Sequence, residues 1–238
     1  FEGVIPGLLK RWYTERQEMQ LMLKKSKDAK NKAEEEFWDK RQLVKKINLN
    51  SLYGAILNPG CRFFDKRIGQ STTLSGRQIS KHMAAKINEV ITGEYNHVGK
   101  AIIYGDTDSA YFSAYEVLKK EIKDGAIPWT KESVIKLYDQ VCSEVNGSFK
   151  KFMAEAFHCL KSRAEVIKAG RESVSSTGLF ITKKRYAVLM YDLENFRQDV
   201  DDKPGKIKAM GLDLKRSDTP VFIQNFLYEL LIMVLTEQ

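Results

Sequence analysis

Two aspartates separated by a single residue constrain this chain most. They lie in Tyr104-Gly105-Asp106-Thr107-Asp108-Ser109, between two apolar runs. Ala101-Ile102-Ile103-Tyr104 has the composition of a short buried strand, and Ala110-Tyr111-Phe112-Ser113-Ala114 alternates as a second one. Gly105 and the Asp-Thr-Asp triplet supply turn chemistry between them. In extended backbone, residues two apart point the same way. Asp106 and Asp108 would then crowd two negative charges into one place, which is unfavourable without a cation. Mg²⁺ takes one or two carboxylates and completes its shell with waters and substrate phosphates. The pair therefore points to phosphoryl-transfer chemistry. An isolated Asp-x-Asp is more often a solvated turn, so the inference needs a second motif.

Lys46-Ile47-Asn48-Leu49-Asn50-Ser51-Leu52-Tyr53-Gly54 supplies it. On a helix, Lys46, Asn50 and Tyr53 share one face. A cation, an amide and a phenol together make poor core and a good nucleotide surface, and a lysine meets phosphate as a point charge.

These two segments, in this order, resemble the second and third polymerase motifs of family B DNA polymerases, in the style of the T-even-like phage enzymes. Lys183-Lys184-Arg185-Tyr186 resembles that family's primer-template-binding motif. Gly211-Leu212-Asp213-Leu214-Lys215-Arg216-Ser217-Asp218-Thr219-Pro220 is similar to the segment that follows it, near the start of the thumb. Gly3-Val4-Ile5-Pro6, leading to Arg16, looks like the opening of the first fingers helix. The resemblance covers nearly the whole chain.

The resemblance implies an α+β fold with three parts: a fingers helical hairpin at 1–57, a palm at 58–205 and the start of a thumb at 206–238. It implies nucleotidyl transfer to a primer 3′-hydroxyl with two Mg²⁺ ions. Asp108 is then the direct metal ligand and Asp106 a less direct partner in metal binding and catalysis. Lys46 meets the triphosphate with Asn50 beside it, Arg16 grips phosphate, and Tyr53 lies against the nascent base pair. Lys183, Lys184, Arg185, Tyr186 and Arg216 hold the duplex. The implied partners are primer-template DNA, deoxynucleoside triphosphates and, through C-terminal residues absent from this sequence, a sliding clamp. The implied location is the cytoplasm of an infected bacterial host.

Departures matter too. The family's first motif, an Asp-x-x-Ser-Leu-Tyr-Pro-like segment with the other metal-binding aspartate, is absent from the sequence. The expectation is an excised or split piece that needs an N-terminal polymerase segment to work. Where the first fingers helix usually carries a lysine four residues after its arginine, this chain has Gln20. A non-catalytic DNA-binding module on the same scaffold is the alternative. A reverse transcriptase or cyclase fits less well, because the Lys46–Gly54 and Lys183–Tyr186 segments have no place there.

Composition agrees. Lysine and arginine number 39 against 31 acids, a net charge of +8 that suits a polyanionic partner. Cys61, Cys142 and Cys159 have no zinc spacing and read as buried thiols. No apolar run approaches the roughly 18 residues of a membrane span, and no membrane partner is expected.

The remaining pattern predicts helices from the region of Pro6, over 33–57, 73–91 and 220–235, and over 131–160 with a break near Asn146-Gly147. The stretch 26–32 is the expected hairpin tip. Strands are expected at Phe63-Phe64, 165–167, 178–181 and 186–191, and a turn at 201–205. Lys183-Lys184-Arg185 could alternatively belong to a charged edge strand that resists aggregation, and Arg216 could simply pair with Asp218.

Overall fold

The two long helical patterns near the N-terminus form α1 (Val4–Asp28) and α2 (Lys32–Leu57). The computed structural model describes residues 3–160, 163–200 and 203–236. The helices are antiparallel, since Glu15 pairs with Lys45, Arg16 meets Gln42 and Ser26 meets Glu34. Their tip is tighter than the polar stretch suggested, because α1 runs on through Asp28. Lys30 takes φ +56°, and Asn31 caps α2 by accepting the Glu34 N–H at 3.4 Å. Within α1 and α2 the buried residues are Ser26 and Ile56. Ser26 satisfies its hydroxyl on the Met22 carbonyl at 2.9 Å.

After Leu57 the chain turns, with the Asn58 side chain accepting from the Gly60 N–H at 2.9 Å. The expected strand at Phe63-Phe64 does not form. Successive turns bond Cys61 N–H to the Asn58 carbonyl and Phe64 N–H to the Cys61 carbonyl, and both rings are exposed. The next helix, α3 (Lys66–Thr92), starts earlier than the apolar periodicity predicted. Asp65 is the reason: its carboxylate accepts the Arg67 N–H at 2.9 Å and pairs with the Arg67 guanidinium at 2.8 Å.

The molecule divides into two compact units between Ser75 and Gly76, inside α3. Residues 206–236 belong to the second unit, because a strand there pairs into its sheet.

That unit contains two small antiparallel sheets. The first is β1 (Ile102–Asp106) with β2 (Ser109–Phe112). It is half-buried rather than buried, with Ile103 exposed. α4 (Tyr115–Lys123) and α5 (Lys131–Phe157) follow. Thr130 and Ser133 form a reciprocal capping box at the start of α5. The expected break at Asn146-Gly147 is absent. Asn146 instead uses its amide across the helix, accepting the Ala169 N–H at 2.8 Å and donating to the Ala169 carbonyl at 2.7 Å.

The second sheet has β3 (Ser173–Thr182), β4 (Arg185–Leu193), β5 (Phe196–Arg197) and β6 (Lys206–Met210). β4 is its centre, paired with β3 on one side and with β5 and β6 on the other. This excludes the edge-strand alternative for Arg185. Residues 165–167 form no strand. Of the turn expected at 201–205, Asp201 and Asp202 lie outside the described residues. A 3₁₀ turn (Asp213–Lys215) leads to α6 (Val221–Thr236).

Tyr186 through Asp192 of β4 are all buried, as suits a strand covered on both faces. Ala187 and Leu189 pack with Leu235 of α6 and Ile207. Tyr186, Val188 and Met190 pack with Tyr104 and Tyr111 of the first sheet. A further core joins Ile87 of α3 to Val141, Val145 and Phe149 of α5, with Ile102 and Phe112 against it. Buried Asn88 seats β1 by accepting the Ala101 N–H at 3.0 Å. The three cysteines are free and half-buried rather than buried.

Candidate active site

The expected carboxylate pair lies on the β1–β2 turn, but not as two side chains of one strand. Asp106 ends β1 opposite Ser109. Thr107 takes φ +53°, and the Asp108 N–H folds straight back onto the Asp106 carbonyl at 2.7 Å. Such a three-residue turn with positive φ at a β-branched residue is strained. The extended-chain expectation is thus corrected: the turn, not the pleat, places the two carboxylates.

Their surroundings differ. Asp106 is half-buried, accepts the Thr107 hydroxyl at 3.2 Å and has the Lys184 ammonium 3.8 Å away. Asp108 is exposed, and its carboxylate makes no hydrogen bond or ion pair among the described residues. Among those residues no three His, Cys, Asp or Glu side chains gather into a metal-binding group. Two carboxylates on one turn nevertheless fit Mg²⁺, which leaves most of its shell to water and phosphate oxygens.

A second turn meets the first. Lys183 and Lys184 form the tight β3–β4 connection, with Lys184 at φ +62°. The Lys184 N–H donates to the Tyr104 hydroxyl at 2.9 Å. Gly211, at φ +64°, backs this turn closely; a Cβ there would lie 2.2 Å from the Lys184 carbonyl oxygen. Lys183, Lys184 and Arg185 are exposed.

Tyr186 is not exposed. Its ring is buried among Tyr104, Tyr111 and Phe180, and it shares a 3.2 Å hydroxyl contact with Tyr111. Burial pushes the Tyr186 phenol up to about 12. Arg216 pairs with Asp218 through two contacts of 2.9 and 2.6 Å, and that guanidinium holds the Asp218 carboxyl down to about 2.

The helical face predicted on α2 is also present. Arg16 of α1 donates to Gln42 at 3.4 Å. Gln42, Lys46 and Asn50 follow one another at four-residue spacing, so Arg16 lies beside the row that carries Lys46. Lys46 and Asn50 are exposed, as is Gln20. The Tyr53 hydroxyl is fixed by Thr73 at 2.6 Å, and Thr73 in turn donates to the Gly69 carbonyl at 3.0 Å.

The acidic turn, the basic turn and the helical row carry the three motifs, and the model of DNA polymerase family B matches residues 1–238. The chain belongs to DNA polymerase family B. It is 28% identical over 205 residues to the DNA-directed DNA polymerase of Escherichia phage RB69, covering 82% of this chain and 22% of that protein. It is 29% identical over 213 residues to the corresponding enzyme of Enterobacteria phage T4, again covering 82% and 22%. The DNA polymerase delta catalytic subunit of Oryza sativa is 27% identical over 239 residues, covering all of this chain and 18% of that protein. This family B chain thus spans about a fifth of the length of the relatives it matches.

The residue pattern missed several parts of the site. Ser80 of α3, Tyr104 and Gly211 lie against the two turns, yet none was singled out as a site residue. Tyr104 sits within the carboxylate motif and could have been singled out as a phenol two residues before Asp106. Ser80 has no local signal at all.

Proposed function

We propose that this chain forms the fingers, palm and thumb entry of a DNA-directed DNA polymerase, which adds deoxynucleotides to a primer 3′ end. The observation that carries the reading is the junction of the acidic and basic turns through Tyr104 and Lys184. It sets candidate metal ligands beside candidate phosphate contacts, which is where a primer terminus has to lie.

The residues divide the work by their surroundings. Asp108, exposed and unpaired among described residues, is the direct ligand. Asp106, already balanced by Lys184, shapes the local field. Asp108 and Asp106 would hold Mg²⁺, two ions in the complete site, which would supply charge stabilisation for an in-line displacement. Arg16 and Lys46 bind the triphosphate, with Asn50 alongside. Tyr53, held by Thr73, presents its ring to the nascent pair; minor-groove patterns are degenerate, so contact there checks shape rather than sequence. Lys183, Lys184 and Arg185 position the duplex through its phosphates. Tyr186 supports their turn from inside. Arg216 reaches DNA by exchanging its Asp218 partner for a phosphate. A sliding clamp, an N-terminal segment bearing the other aspartate and action inside an infected host complete the proposal.

The test is primer extension by the purified chain, alone and mixed with an upstream segment carrying the family's first motif. Extension is expected only from the mixture, and Asp108→Ala should lower it by roughly 10³-fold, the worth of several kcal/mol of metal-assisted charge stabilisation. No extension from the mixture, with DNA binding intact, would favour a non-catalytic DNA-binding module, and extension unaffected by Asp108→Ala would remove Asp108 as the metal ligand.

A further inference from the structure

Ser80 is bound to the carboxylate turn from a helix that carries none of the recognised motifs. Its hydroxyl lies 2.5 Å from the Thr107 carbonyl oxygen and 3.0 Å from the Gly76 carbonyl of its own helix. A serine has one hydroxyl proton, and the shorter contact is the one to Thr107. The Thr107 carbonyl and the Asp108 N–H belong to the same peptide group. Ser80 holds that group by its oxygen, and the Asp106 carbonyl holds it by its N–H at 2.7 Å. A peptide plane held at both ends fixes the direction in which the next residue, Asp108, leaves the backbone. Thr107 at φ +53° supplies little stability of its own for this geometry.

The anchor is firm. Ile79, Met83 and Ile87, on the same stretch of α3, pack with Val141, Val145 and Phe149 of α5. His82, two residues after Ser80, bridges the Tyr95 hydroxyl at 2.7 Å and the Ser148 hydroxyl at 2.9 Å. We propose that Ser80 is a positioning residue that aims the Asp108 carboxylate at the catalytic metal by clamping the Thr107–Asp108 peptide to α3. The inference rests on the polymerase reading of the same turn.

Ser80→Ala is a clean probe, because alanine is the best helix former and the freed Thr107 carbonyl is accessible to water. The complemented polymerase is measured in three ways: Mn²⁺ titration by electron paramagnetic resonance, the Mg²⁺ concentration giving half-maximal single-nucleotide incorporation, and primer-template affinity. One lost hydrogen bond is worth a factor of roughly three to ten. Ser80→Ala should therefore weaken Mn²⁺ binding and raise the Mg²⁺ requirement by about that factor, leaving DNA affinity and melting temperature unchanged. Ser80→Thr, which keeps the donor, should restore both metal readouts. Asp108→Ala separates the two ideas. If Asp108→Ala weakens Mn²⁺ binding and Ser80→Ala does not, the clamp is wrong and the polymerase reading stands. If Asp108→Ala leaves Mn²⁺ binding unchanged, the metal-site reading falls and the clamp falls with it.

Discussion

The helical hairpin and the sheet unit present their candidate residues in opposite ways. In the hairpin, the functional row stands on the outside of a helix pair whose buried residues are Ser26 and Ile56. Polar contacts cross between its helices, Glu15 with Lys45 and Arg16 with Gln42. In the sheet unit, the candidate residues sit on two turns backed by dense cores, among them the Phe149 cluster and the aromatic cluster under Tyr186. A helix presents side chains by its period alone, so it needs little core to do so. A turn has no period, so its geometry has to be imposed by what lies beneath it.

Stability gives the largest contrast. Phe149 is 2% exposed, so Phe149→Ala should cost about 3–5 kcal/mol in chemical denaturation. Leu21 on the hairpin is 61% exposed, and Leu21→Ala should stay within about 0.5 kcal/mol. Equal costs would break the comparison.

Lys46→Ala tests whether the hairpin carries chemistry without stability. Pre-steady-state incorporation should become roughly tenfold slower, or need that much more nucleotide, because a charge-assisted contact is worth about 1.5–3 kcal/mol. The denaturation midpoint should not move. Unchanged kinetics would leave α2 as scaffold.

The basic turn should show the converse of a buried effect. Replacing Lys184 and Arg185 with alanine should flatten the log–log salt dependence of duplex binding by roughly one to two ion equivalents. A slope that stays the same would mean that neither side chain meets phosphate.

The smallest effect concerns acid. Burial lowers the pKa of His82 below its usual value. The unfolded chain then binds this proton more readily than the folded one, so the associated stability is present above the ordinary histidine pKa and is lost as pH falls through it toward the folded value. The denaturation midpoint should therefore drop between about pH 7.5 and 5.5, and drop less in His82→Gln. Identical pH dependence in the two proteins would remove His82 as the cause.

Periodicity explains what was legible from residues alone. α2 and α6 lie within a residue or two of their expected positions, because apolar spacing and breakers such as Asn58-Pro59-Gly60 mark them directly. β4 was visible as an unbroken apolar run, Tyr186 to Tyr191, which only a strand buried on both faces requires. Phe63 and Phe64 misled, because two adjacent aromatics say nothing about whether a partner strand is available. Asn146-Gly147 misled for a different reason: its amide is satisfied by Ala169, 23 positions away, so the helix continues. The candidate side chains were legible through their motifs. The contacts that aim them were not, since Ser80 reaches Thr107 across 27 positions and Tyr104 reaches Lys184 across 80.

The Tyr104–Lys184 contact has a consequence for motion. The amide at the tip of an exposed hairpin normally has only water for a partner and exchanges its hydrogen freely. The Lys184 amide instead ends on a phenol that grows from the strand carrying Asp106. Its exchange rate therefore reports on the acidic turn as well as on its own. The β1–β2 and β3–β4 turns are thus tied directly to one another, and a displacement of the Lys184 backbone bears on the strand that ends at Asp106.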